Sequence, residues 1–309
     1  VRFAISIPQQ VADGTFDPVA MRSYLKRAEE LGFTGAWTQE HILGTAPVLG
    51  PVETLAYAAA CTERLRLGCA VFITPLYSPV HLAKSLSTLD QLSRGRLDVG
   101  VGTGGPGRMF AAFGVDPGSY VARFTEGLQL MRELWTEPKV TFTGRFWQLD
   151  GAAMEPKPFQ QPAPPVWFGG HARPALRRAV SLGDGFFGAG SATTGQFAEE
   201  VRLVHEELAA QGRDPASFPI AKRVYVAVDD DAERARQRVA AALGRLYGDH
   251  SGREMTEVAA LGPPDACVRE LQAVANAGAG MILLSPLFDE AGQMERLAGQ
   301  VMPRLSGPA

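Results

Sequence analysis

Short apolar runs alternate along the whole chain with longer segments whose apolar residues recur every three or four positions. Phe3-Ala4-Ile5-Ser6-Ile7 has the length and composition of a buried strand. Asp17-Pro18 then supplies an N-cap and a first-turn proline for a helix with Met21, Leu25, Ala28 and Leu31 on its apolar face, and Gly32 ends it. The same reading predicts further strands over 34–38, 65–73, 97–101, 166–168, 185–187, 220–228 and 281–284. Helices are predicted over 52–64, from Ser78-Pro79 to Gly95, and around Phe124, Leu128, Met131, Leu134 and Trp135. Apolar strands alternating with amphipathic helices predict an α/β fold, and their number favours a (β/α)8 TIM barrel over a doubly wound sheet.

Two stretches break the rhythm. Residues 137–164 carry Pro156, Pro158, Pro162, Pro164 and Pro165 and read as an irregular insertion. Residues 229–262 start helical and pass through Gly244, Gly248, Gly252 and Gly262, which suggests a second insertion near the rim formed by the strands' carboxyl ends. A chain of 309 residues accommodates one barrel with such insertions, so a single domain over 1–309 is expected.

The 30 basic and 33 acidic residues, net −3 with no basic block, leave no electrostatic footprint for nucleic acid or an anionic membrane. Small molecules are the expected partners. Cys61, Cys69 and Cys267 lack metal-ligand or disulfide spacing, so buried thiols are expected and no metal. No apolar run reaches the ~20 residues needed to span a bilayer. With no signal peptide ahead of the first strand, the expectation is a soluble cytoplasmic protein.

Candidate chemistry gathers at strand ends. Trp37-Thr38-Gln39-Glu40-His41 closes the second strand with an acid and an imidazole, where α/β folds place reactive groups. The bland alternatives are that His41 caps neighbouring backbone and that Glu40 accepts a backbone N–H. Gly100-Val101-Gly102-Thr103-Gly104-Gly105 satisfies GxGxxG, but Pro106 and Gly107 interrupt it, so a dinucleotide fingerprint is disfavoured. Tight-turn glycines and glycines that let a flat ring lie against backbone are the other readings. Trp37 and Trp167 read as core, Trp147 as an anchor for the insertion, and His81, His205 and His250 as surface or packing residues. Arg108 and Arg123 are possible anion contacts without further support.

Several of these segments carry a family resemblance in their order and spacing. Ala28-Glu29-Glu30-Leu31-Gly32-Phe33 with Trp37 and Glu40-His41, Leu65-Arg66-Leu67-Gly68, Leu89 to Leu97 with Gly100-Val101-Gly102, and Phe110 to Gly114 resemble the bacterial luciferase-like flavin oxidoreductases. The resemblance implies a (β/α)8 barrel with insertions that binds FMN or coenzyme F420, and possible homodimers. It implies His41 beside the reactive edge of the ring, with Glu40, usually Asp in the family, orienting it or tuning its pKa. It implies a bulge with a non-prolyl cis peptide at Ala70-Val71, within a segment reaching Thr74. It implies that Gly102, Thr103 and Gly104 line the ring. Phe168, Gly169, Gly170 and His171 would bind the ribityl phosphate region through backbone N–H groups at a helix start.

Two departures narrow the expected function. Luciferases and their monooxygenase relatives often carry Cys where this chain has Gly102, and the sugar-phosphate dehydrogenases of the F420 branch carry Glu where it has Gly105. The expectation is an F420-dependent oxidoreductase that moves a hydride to or from a small organic substrate. An FMN-dependent monooxygenase and a non-catalytic flavin-binding paralogue are the alternatives.

Overall fold

Thirteen residues of helix, α1 (Pro18–Glu30), link the first two strands, β1 (Arg2–Ser6) and β2 (Gly35–Thr38). The Asp17 carboxylate accepts from the N–H groups of Val19 and Ala20 at 2.8 and 3.0 Å, which satisfies two orphan donors of the first turn. Met21, Tyr24, Leu25 and Ala28 bury the inner face of α1. The protein is described by a computed structural model over residues 1–11, 14–105 and 108–305. The interruption read at Pro106 and Gly107 lies outside the described residues.

The strand-helix alternation continues with α2 (Pro51–Cys61), β3 (Arg66–Cys69), β4 (Phe72–Ile73), α3 (Pro79–Ser93) and β5 (Leu97–Gly102). Next come α4 (Arg108–Ala112), α5 (Tyr120–Thr136), β6 (Val140–Thr143), β7 (Gln148–Ala152) and β8 (Val166–Gly169). After α6 (Arg173–Leu182), β9 (Gly185–Gly188), α7 (Thr194–Ala210) and β10 (Ile220–Val228), α8 (Ala232–Tyr247) and α9 (Asp249–Thr256) precede β11 (Ala260–Gly262). The last elements are α10 (Pro264–Asn276), β12 (Met281–Ser285) and α11 (Glu290–Arg296).

Parallel pairing runs β10-β12-β1-β2-β3-β5-β8-β9 and returns to β10, which closes an eight-stranded barrel as the alternation predicts. Inside it, Ala4, Trp37, Trp167, Phe187, Ala221, Met281 and Leu283 form one buried cluster. Trp37 meets Trp167 edge-on at 6.1 Å and Phe187 at 4.9 Å between ring centroids. This aromatic layer plugs the barrel and becomes the floor of whatever binds above it. Trp37 and Trp167 are therefore core, as their strand positions suggest.

Both insertions hold more regular structure than their sequence shows. In 137–164, β6 and β7 pair as an antiparallel hairpin. The Glu126 carboxylate on α5 accepts from the N–H groups of Arg145, Phe146 and Trp147 at its turn. The guanidinium of Arg123, also on α5, lies 4.4 Å from the Trp147 ring, so Trp147 does anchor the insertion. In 229–262, Gly244 and Gly252 sit inside α8 and α9 rather than ending them. A Cβ on Gly252 would fall 2.6 Å from the Gly244 nitrogen, so the pair permits close packing of the two helices.

Candidate active site

Strand three is the place where the barrel is irregular. Between β3 and β4 the chain steps inward at Ala70-Val71, whose peptide bond is cis. The Val71 side chain then points at β5 and β8. A Cβ on Gly102 would lie 2.6 Å from Val71 Cγ2, and one on Gly169 would lie 3.1 Å from Val71 Cγ1. A Cβ on Gly100 would overlap the carbonyl oxygen of Cys69, and one on Gly104 would lie 2.8 Å from Ile73 Cγ2. Gly100, Gly102 and Gly104 thus make room for the neighbouring 69–73 segment, whereas Gly105, the last glycine of the GxGxxG run, faces open space. That is a protein-packing reason which none of the sequence readings of this run contains.

A cavity of about 490 Å³ opens above the aromatic floor at the strands' carboxyl rim. Ala70, Val71, Gly102, Thr103 and Gly104 form one wall, and Phe168, Gly169, Gly170 and His171 continue it. Phe187 lies beneath, Tyr120 and Phe124 of α5 stand to one side, and Arg178 and Arg223 also border the space. At Gly170, φ is +150° and a Cβ would meet Ala175 Cβ at 3.0 Å, so the chain passes tightly from β8 into α6. No side chain caps α6, but Pro174 has no N–H and the Ala175 and Leu176 N–H groups bond the Ala172 carbonyl at 2.7 and 3.1 Å, so α6 meets the cavity chiefly through the Arg178 guanidinium.

Thr74 does not border that cavity. It opens a short 3-10 turn, is buried, and its hydroxyl finds no partner. Glu40 is also directed away from it: its carboxylate accepts from the Ile73 N–H and the Tyr77 hydroxyl. Burial pushes the Glu40 carboxyl up to about 6 against the opposing pull of those donors. The expectation that Glu40 orients His41 is therefore corrected. Consecutive residues leave the strand on different sides, and Glu40 fastens the β4 segment, the structural alternative weighed for it.

His41 borders a smaller recess of about 40 Å³ with Gln9, Gln39 and Leu246. Its ring lies 5.5 Å from that of Tyr247, between centroids, at the end of α8. Burial, then the charge of Arg223, pushes the imidazole pKa down, so His41 is neutral near pH 7. The Tyr247 hydroxyl donates to Gln39 Oε1 at 3.2 Å and accepts from the Tyr225 hydroxyl at 3.2 Å. Gln39 is held in turn by Gln9, which accepts from its N–H at 2.6 Å.

Arg223 borders the main cavity, which His41 does not, and its charge reaches His41 beside the smaller recess; sequence reasoning passed over it together with Arg178 and Tyr247. The signal was available in Ile220-Ala221-Lys222-Arg223-Val224, two cations inside an otherwise apolar strand. Ala221 belongs to the barrel interior, so Arg223 and Tyr225 point inward with it. Lys222 points outward, where its ammonium donates to the Ala189 carbonyl, and burial pushes its pKa down to about 7. Among the described residues, no group of three or more His, Cys, Asp or Glu could hold a metal ion. No helix among them is long and apolar enough to cross a membrane.

Comparison with known proteins agrees with the barrel architecture. The chain is 32% identical over 182 residues to an F420-dependent glucose-6-phosphate dehydrogenase of Amycolatopsis mediterranei, covering 55% of this chain and 53% of that one. It is 30% identical over 196 residues to an FMNH2-dependent dimethylsulfone monooxygenase of Pseudomonas putida, covering 62% and 53%. It therefore spans about half the length of the curated relatives it matches. The solved structure of monooxygenase RslO1 from Streptomyces bottropensis superposes with a TM-score of 0.82 at 27% identity, covering 98% of this chain and 99% of that one. A family model described as luciferase-like monooxygenase matches residues 1–280, and the chain belongs to that family.

Proposed function

We propose that this protein is an F420-dependent oxidoreductase that moves a hydride between the deazaflavin and a small organic substrate. The observation that carries the choice of cofactor is Gly102 pressed against Val71. A Cβ there would lie 2.6 Å from Val71 Cγ2, so the thiol that monooxygenase relatives often carry at this position has no room. When bound, the deazaflavin supplies a carbon centre that takes or gives a hydride without activating oxygen. The residues present fit such a group. Val71 and the glycine backbone offer a flat apolar wall, and Arg178 of α6 suits an anionic tail.

On this reading the chain contributes position, dryness and one proton site. Phe187, Phe168 and Phe124 exclude water from the space above the floor. His41, held neutral, takes a proton from a substrate hydroxyl or, once charged, returns one. Gln39 and Tyr247 hold its surroundings, while Glu40 keeps the Val71 segment in place from behind. The same reading takes residues 1–309 as one barrel unit with its insertions on the rim.

The second reading is an FMN-dependent monooxygenase, favoured by the 27% identity to monooxygenase RslO1 over nearly the full length of both chains. Fluorescence titration with F420 and with FMN separates them. F420 binding at least tenfold tighter is expected, roughly 1.4 kcal/mol. Tighter FMN binding, with oxygen consumed on reduction, overturns the F420 assignment. Binding of either without turnover of any alcohol or ketone panel would leave a flavin-binding paralogue.

A further inference from the structure

Arg223 is a charged group placed over the aromatic floor from inside the barrel, and no ion pair among the described residues neutralises it. Its Nε is sealed from solvent without a hydrogen-bond partner. Its guanidinium carbon lies 5.1 Å from the centre of the Tyr225 ring, whose hydroxyl donates to that of Tyr247. Gly190 makes room for it, since a Cβ there would lie 2.7 Å from Arg223 Nε. The described residues that border the main cavity include Arg178, Arg223 and His171 and no Asp or Glu. A guanidinium removed from water without a counter-charge is costly, and its planar fork matches an oxyanion in two-point contact.

We propose that Arg223 is the docking point for an anionic group of the substrate, a carboxylate or sulfonate that lies across the floor and brings the adjoining carbon towards His41. This rests on the reading of the cavity as the shared site of cofactor and substrate, and it names the substrate class. Arg178 stands at the α6 end and serves the cofactor's anionic tail, so the two cations divide the cavity between them. Arg223 is a specificity residue here: it binds the substrate's charge and takes no proton.

Isothermal titration of the full chain with acetate and methanesulfonate, against neutral acetamide, tests the assignment with and without bound cofactor. Both anions are expected to bind in the millimolar range and acetamide not to bind. Arg223→Gln should weaken anion binding about tenfold or more, Arg223→Lys should retain part of it, and Arg178→Gln should leave it unchanged. Cofactor affinity in Arg223→Gln should stay within about threefold of the unsubstituted protein. Anion affinity that ignores Arg223, or anions that displace the cofactor, overturns the proposal. Should the Arg223 variants misfold, NMR titration of His41 in the unsubstituted protein decides. Acetate that neutralises Arg223 must raise the imidazole pKa, and an unmoved pKa places the anion elsewhere. Failure of the cofactor reading looks different, as neither F420 nor FMN would bind while acetate still answered to Arg223.

Discussion

On the β3–β5–β8 side of the cavity the wall is made by side chains that are missing. Gly100, Gly102, Gly104 and Gly169 leave the space that Val71, Ile73 and the Cys69 carbonyl occupy. On the β10 side Arg223 borders the cavity, and beyond it His41, Gln39, Tyr225 and Tyr247, from distant parts of the chain, gather by the separate small recess. The first side offers shape and almost no charge. The second offers a proton site and a cation, each set by its neighbours. On the proposed reading the first surface takes a flat ring and the second a reacting polar group.

The sharpest test of that division is His41→Ala, which should lower turnover by about 10² to 10⁴ while cofactor affinity barely changes. Loss of cofactor binding in the same proportion would move His41 to the wall side. Gly100→Ala should do the reverse. A methyl driven onto the Cys69 carbonyl costs about 2–3 kcal/mol of stability, read as a shift in urea midpoint at constant slope, and it takes cofactor affinity with it. An unchanged midpoint would mean the wall yields freely.

Gly170→Val is expected to weaken cofactor binding about tenfold in a folded protein, because the side chain enters the space before α6. Full affinity would remove the α6 end from the cofactor site. In the pH profile, the lowered His41 pKa keeps the imidazole neutral below its usual 6.5, so the acid limb of turnover should fall below pH 6.5. Arg223→Gln should move that limb upward, and a limb that stays put would deny the electrostatic link between the two residues.

The smallest effect belongs to Glu40. Its folded-state pKa of about 6 lies above the ordinary 4.5, so it stabilises the fold below pH 4.5 and that contribution is lost as pH rises through 6. Relative to Glu40→Gln, the unsubstituted protein should therefore gain thermal stability by a few degrees, about 2 kcal/mol at most, on going from pH 7 to 4.5. Parallel melting curves for the two proteins across that range would show the carboxyl to be unshifted.

The barrel was legible in the order of residues because its signal is local. Met21, Leu25 and Ala28 share a helix face, and Phe3 to Ile7 form a strand, whatever the rest of the chain does. The acid-imidazole pair at the end of the second strand and the glycines at 102 and 169–170 were visible in the same way, as residue types at strand ends. Partnerships across the fold were not. Glu40 reads as a neighbour of His41 in sequence, yet it serves Ile73 and Tyr77, more than thirty residues away. Arg223 became a site residue only when barrel closure turned Ala221, Arg223 and Tyr225 inward and brought α8 across with Tyr247. Gly244 and Gly252 marked 229–262 only as an insertion, and their role shows once α8 and α9 pack over them. Periodic burial is written within a few turns of chain, whereas the partner of each polar group is set by strand register and closure, which only the folded barrel contains.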